Sequence, residues 1–294
     1  MARSERLTAR QRINRYLVPL LPHGIVRRHS RRVQRERHRL LHEATGSPAA
    51  RSSEFTVPKA IEFLVARGLP EDEVRWGSVP EPSLQWSAEL LRSRLDRERP
   101  LLALHVGNFV GVSLGFYTAL MIEHHPDSVV VSIDPDIPHR GIVHPQRHAI
   151  ALLGQFGLLS NSIIIPGYSL EQNLGDTPAE HATETVLAER ACEDVLRSLD
   201  TADIGPFDLA VVDGNHEGAY LSRELGWLAR CLRTGGLLVV DDVEVGPWDD
   251  VVDAFEAATS AGTLREIGRD GRMGVLQVAT SADTVSSGSS TRQH

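Results

Sequence analysis

Cysteine is scarce in this chain. Cys192 and Cys231 are the two among 294 residues. Each falls in a stretch with helical spacing, which excludes a disulfide-built scaffold and reads as two small buried apolar side chains. The N-terminus lacks a long uninterrupted apolar core and a small-residue cleavage site, so no secretory signal is expected. Both features point to a reducing, cytoplasmic setting. A basic balance is also missing. The formal net charge is −8, which argues against nucleic acid as the main partner, because phosphate binding needs a basic face. No internal repeat is present. Hydrophobic content of 41% and charged content of 24% are those of an ordinary globular chain, so one large domain, or one with an accessory piece, is expected.

The charge is unevenly spread. About a dozen arginines, against Glu5 and Glu36, crowd the first 40 or so residues. That arm is about +10 and the remainder about −18. Residues 1–45 therefore read as a basic helical arm, with Ile13, Tyr16, Leu17, Leu20 and Leu21 as an apolar stripe. Either it is a solvated helix packed by one edge, or a basic amphipathic element lying peripherally on the inner, anionic membrane face. Residues 46–99 form a helical preface, with helices over Val57–Gly68 and Ser83–Leu95. The Ser/Thr/Gly-rich end, 281–294, is expected to be disordered.

The run LLALHVGNFVGVSLGFYTALMI, residues 101–122, admits two readings. It has the length of a membrane span, with Gly107, Gly111 and Gly115 at four-residue spacing. It also divides into a buried strand (Leu101–Val106), a glycine turn and a helix (Val112–Ile122). The rest of the chain favours the second. Val129–Ile133, Ser162–Ile165, Leu209–Val212 and Leu237–Val240 are further strand-like runs. Helical segments at Pro145–Phe156, Thr183–Leu199 and Glu217–Leu232 alternate with them, and Arg233 with Gly235-Gly236 reads as a helix stop. Such alternation predicts an α/β fold, a doubly wound and mostly parallel sheet, over residues 100–280. After Val243, a helix over Trp248–Thr259 and a hairpin turning at Asp270-Gly271 give an antiparallel ending.

In doubly wound sheets the residues just beyond the strand C-termini line the ligand crevice. Here those residues are acids: Asp134, Asp213, Asp241 and Asp242, with His216 close behind. The glycine turn Val106-Gly107-Asn108-Phe109-Val110-Gly111 lets a ligand approach the backbone, but departs from the G-x-G-x-x-G pyrophosphate fingerprint. Asp134 suits two ribose hydroxyls, or a turn before Pro135. Helix caps and turn residues are the plainer roles for the aspartates, and a helix-start role for His216. His139, His144 and His148 invite a zinc reading, but no cysteine accompanies them, and solvated or ligand-side histidines fit better. The polar patch Gly175–Thr185 is a candidate mobile loop above the site.

Residues 101–279 resemble a class I S-adenosylmethionine-dependent methyltransferase with a Rossmann-like sheet. More narrowly, VVDGNHEGAYLSRELGWLARCLRTGGLLVVDDV resembles the methyltransferases carrying an IDG-x-H segment followed by GG-x-L-V-x-DD. That group includes metal-dependent sugar O-methyltransferases of macrolide biosynthesis and is distantly similar to catechol O-methyltransferases. The resemblance implies S-adenosylmethionine held by Gly107, Asn108, Gly111, Asp134, Tyr168 and Ser169. It implies Mg²⁺ on Asp213, Asp241 and Asp242, and His216 as the general base toward a small-molecule hydroxyl acceptor bearing a diol. Gly167-Tyr168-Ser169 stands where the family often has Gly-Asp-Ser, so Tyr168 either stacks on adenine or fills the core. A homo-oligomer is allowed. A non-catalytic binding module on the same fold, or a metal-dependent hydroxylase, are the rival readings.

Overall fold

The structure, a computed structural model, describes residues 54–171, 194–244 and 248–279. The basic arm, the first residues of the preface, the Gly175–Thr185 patch, Cys192 and the Ser/Thr/Gly-rich end lie outside the described residues.

The preface forms three helices: α1 (Val57–Ala66), α2 (Glu71–Trp76) and α3 (Glu81–Arg92). Thr56 caps α1 by accepting the Lys59 N–H at 3.4 Å, with Pro58 in the first turn. The short α2, opened by Glu71, Asp72 and Glu73, lies between the two helices expected from sequence. Acids at a helix N-terminus oppose its partial positive charge, which favours that single turn and a half.

Strands and helices then alternate: β1 (Leu102–Val106), α4 (Val112–His124), β2 (Val129–Asp134), α5 (Pro145–Gln155), β3 (Ser162–Pro166), α6 (Val195–Thr201), β4 (Phe207–Val212), α7 (Gly218–Cys231), β5 (Leu232–Val240), α8 (Asp249–Ser260), β6 (Leu264–Arg269) and β7 (Gly274–Val278). The sheet order is β3-β2-β1-β4-β5-β7-β6. The first five strands pair in parallel, and β7 joins antiparallel to both β5 and β6. The expected doubly wound sheet with an antiparallel ending is present.

Alternation along each strand explains why both faces are covered. Leu209, Val211, Leu237 and Val239 join the core under α1, α3, α4 and α5. Their neighbours Ala210, Val212, Leu238 and Val240 join the opposite core with α6, α7 and α8. Successive side chains of a strand point to opposite faces, so continuous apolar runs require two covering layers. In α4, Leu114, Tyr117 and Met121 are at most 1% exposed, each worth roughly 1.5–3 kcal/mol of burial. Nearly all of this helix is buried because it lies inside the domain. No helix among the described residues is long and apolar enough to cross a membrane.

One boundary differs from the expectation. Arg233, Gly235 and Gly236 do not end α7; they lie inside β5, which follows α7 directly. Gly235 has φ +76, and the β4–β5 register shifts between Phe207 and Leu209. The glycines therefore lie in an irregular stretch of β5, where residues 232 to 237 run opposite 207 to 209 of β4. Arg233 pairs with buried Asp208 at 2.7 Å, which also takes Arg99 and the Leu102 N–H.

Candidate active site

Main-chain bonding continues past the strand ends and brings the acids together. The Asp213 N–H donates to Val106 at 2.9 Å, and the Asp241 N–H donates to Val212 at 3.0 Å. The first residues beyond β1, β4 and β5 are thereby set side by side, at the point where the strand order reverses. Gly107 makes this possible. It has φ +82, and a Cβ there would lie 1.8 Å from the Asp213 carbonyl oxygen. Gly111, at φ +93, starts α4 and abuts Ala149.

The upstream half is built around Asp134, which is 7% exposed. Its Oδ2 accepts the N–H groups of Asn108 (2.7 Å) and Phe109 (3.3 Å), and its Oδ1 accepts that of Asp136 (2.8 Å). Asp134 thus shapes the glycine turn. A carboxylate has about four acceptor positions, so Oδ1 keeps one for a hydroxyl donor. Burial raises the Asp134 pKa, against the lowering effect of these N–H groups. Asn108 is buried, with both amide atoms unpartnered. The Gly167 N–H donates to the Asp134 carbonyl at 3.0 Å, which ties the turn after β3 to the same corner. Gly107, Asn108, Gly111 and Asp134 therefore gather, with half-buried Tyr168 on the adjoining turn.

Ser169 points elsewhere. It is buried, and its hydroxyl meets Tyr220 at 2.8 Å and the carboxyl of Glu224. This side chain braces the turn from the core side. Glu224 is fully buried, and desolvation lifts its pKa to about 7 despite the Ser169 hydrogen bond.

In the downstream half, His216 Nε2 lies 3.2 Å from Asp242 Oδ2, and its ring is 4.4 Å from that of Trp248. Desolvation lowers the His216 pKa; Asp241 opposes this, while Arg272 and His139 reinforce it. The imidazole is therefore neutral near pH 7 and able to accept a proton. Asp242 holds φ +58, a left-handed conformation costly for a non-glycine residue and typical of functional corners. Burial, then the charge of Asp241, raises its pKa to about 6 against the pull of Arg272. Asp213 is raised well above the usual range, by burial first and then by Asp241 and Asp242.

Arg272 is the residue that sequence reading missed. Its Nε donates to Asp241 Oδ1 at 2.9 Å and its Nη2 to Oδ2 at 2.6 Å. Burial opposes its charge, yet the hydrogen bond and charge of Asp241, aided by Asp242 and Asp213, raise its pKa. Removing one partner of such a buried pair costs about 3–5 kcal/mol. The sequence-derived Mg²⁺ set of Asp213, Asp241 and Asp242 does not fit while Arg272 holds both oxygens of Asp241. Among the described residues no group of three or more His, Cys, Asp or Glu side chains has the arrangement of a metal site. That statement also covers His139, His144 and His148: His139 packs edge-on against Phe109 at 5.3 Å, and His144 starts α5 beside Asp136 at 3.3 Å.

Residues 104–243 match the family model described as a methyltransferase domain. The fold is that of a methyltransferase domain. Among solved structures, the domain is similar to the O-methyltransferase TomG from Streptomyces achromogenes, crystallised with S-adenosylmethionine. The TM-score is 0.52 at 19% identity, covering 76% of this chain and 89% of that one. The O-methyltransferase from Bacillus cereus, in complex with SAH, gives a TM-score of 0.51 at 14% identity, over 76% of this chain and 90% of that one. A curated relative is the 8-demethyl-8-alpha-L-rhamnosyl tetracenomycin-C 2'-O-methyltransferase of Streptomyces olivaceus. It is 33% identical over 90 residues, 30% of this chain and 24% of the relative. This chain thus spans about a quarter of that relative's length.

Proposed function

We propose that this chain is an S-adenosylmethionine-dependent O-methyltransferase acting on a hydroxyl of a small molecule that bears a sugar or another diol. The observation that carries the reading is a neutral, half-buried imidazole, His216, beside Asp242, one strand step from the glycine turn and two from Asp134. The relative named for methylating a rhamnosyl 2'-hydroxyl supports the sugar.

S-adenosylmethionine supplies the methyl group, made electrophilic by its sulfonium charge. Gly107, Asn108, Gly111 and the spare acceptor position of Asp134 would hold its nucleoside, with Tyr168 at the edge. His216 would accept the acceptor's hydroxyl proton as the oxygen takes the methyl group from sulfur, the carbon–sulfur bond breaking and the thioether leaving. The Asp242 carboxylate, 3.2 Å away, steadies the imidazolium that results. Trp248 is 41% exposed beside His216, and a free indole face suits the C–H face of a pyranose. The Mg²⁺ implied by the sequence resemblance enters none of these steps.

Incubating the full chain with S-adenosylmethionine and a panel of rhamnosides and other glycosides tests the proposal. Mass spectrometry should find a singly methylated sugar. Calorimetry showing no S-adenosylmethionine binding at millimolar concentration would remove the assignment.

A further inference from the structure

The last hairpin delivers a cation to the acid cluster. Asp270 Oδ1 accepts the N–H groups of Arg272 (2.9 Å) and Met273 (2.6 Å), closing the turn between β6 and β7. The Val243 N–H donates to the Arg272 carbonyl at 2.7 Å, which locks that turn against the segment just past β5. The pairing of Val240 with Gly274 sets the same alignment. Anchored on both sides, the Arg272 side chain reaches the carboxylates in a fixed pose.

The pose is bidentate on Asp241, whose side chain is fully buried, and Nη2 also lies 3.2 Å from Asp242 Oδ1. A guanidinium matches a carboxylate with two parallel N–H bonds, a geometry that a point-like ammonium cannot copy. Any divalent cation on Asp241 would press against this fixed positive charge at contact distance, where like charges repel strongly in a partly dry site. Three acids at two strand ends would otherwise carry a large uncompensated negative charge.

We infer that Arg272 is the resident counter-cation of the Asp213, Asp241 and Asp242 cluster. It holds the position that the family resemblance would give a divalent metal, and a metal gains Asp241 only by displacing it. The inference concerns cation occupancy, so it stands or falls independently of whether the chain transfers a methyl group.

Mn²⁺ is the probe, with the free ion followed by electron paramagnetic resonance during titration of the full chain. Wild type should bind weakly. R272Q, which removes one charge and frees Asp241, should bind Mn²⁺ roughly tenfold tighter or more, and R272K, which keeps the charge, should stay near wild type. D241N in the wild-type background, which removes a negative charge but no free ligand, should weaken Mn²⁺ binding by no more than about tenfold, the effect of one charge. This arm answers the question even where R272Q does not fold. An R272Q that binds no tighter than wild type overturns the inference, and so does a D241N that loses much more than about tenfold in affinity.

Discussion

His216 Nε2 faces Asp242 Oδ2 at 3.2 Å, from segments that leave the sheet on two adjacent strands. His216 follows β4 and Asp242 follows β5, so the pair exists only because those strands lie in register, Val212 against Val240. Trp248 backs the ring from the other side. The base thus sits between a carboxylate and an indole.

His216→Gln should lower kcat by roughly 10²–10⁴, the usual contribution of a positioned general base. S-adenosylmethionine affinity should stay near wild type, because the upstream half is untouched. Steady-state kinetics and calorimetry on the same preparation separate the two. Unchanged kcat would take proton acceptance away from His216.

The rate should depend on pH in one direction. His216 works as the neutral base, and its pKa is lowered by burial. Asp242 works ionised, with its pKa raised to about 6 by burial and Asp241. Activity should therefore be low at pH 5, rise through about pH 6 and level off above neutrality. The rising limb belongs to the coupled cluster as a whole. A profile of kcat/KM flat from pH 5 to 8 would contradict this.

Glu224 links stability to pH. Its folded pKa is about 7, against the ordinary 4.5, because it is fully desolvated. The folded state thus binds the extra proton. The contribution of Glu224 to stability is greatest below about pH 4.5, falls as pH rises toward 7, and then levels, by a few kcal/mol in all. Glu224→Gln should remove this slope and raise the Tm at pH 8. Thermal unfolding of both proteins from pH 5 to 8 measures it, and parallel curves would show that Glu224 is not desolvated.

Trp248→Ala should raise KM for a glycoside acceptor about tenfold, by loss of a stacking face worth on the order of 1 kcal/mol or more. Binding of S-adenosylmethionine should not change. An unaltered KM for every sugar tested would remove the indole from acceptor recognition.

Much of this architecture is legible in the chain itself. Apolar runs that stop at Asp134, Asp213 and Asp241 mark buried strands and the edge where a crevice opens, because burial and charge are incompatible in one short segment. The run from 101 to 122 resolves as strand, turn and helix because four more strand-like runs lie downstream, and a membrane span would leave them without a central partner. The end of α7 was not legible: glycines after a cation signal a helix stop, yet here the same residues enter β5 where its register against β4 shifts.

Residue type and spacing alone determined the sheet, the glycine turn, the acids and His216, because these depend on local periodicity and on where apolar runs end. Tertiary structure decided three things that spacing cannot encode. Ser169 turns inward to Glu224, 55 residues away. Trp248 meets His216 across two loops. Arg272 reaches back 31 residues to take Asp241. Each depends on which strands become neighbours and in what register, and that choice rests on the packing of the whole sheet.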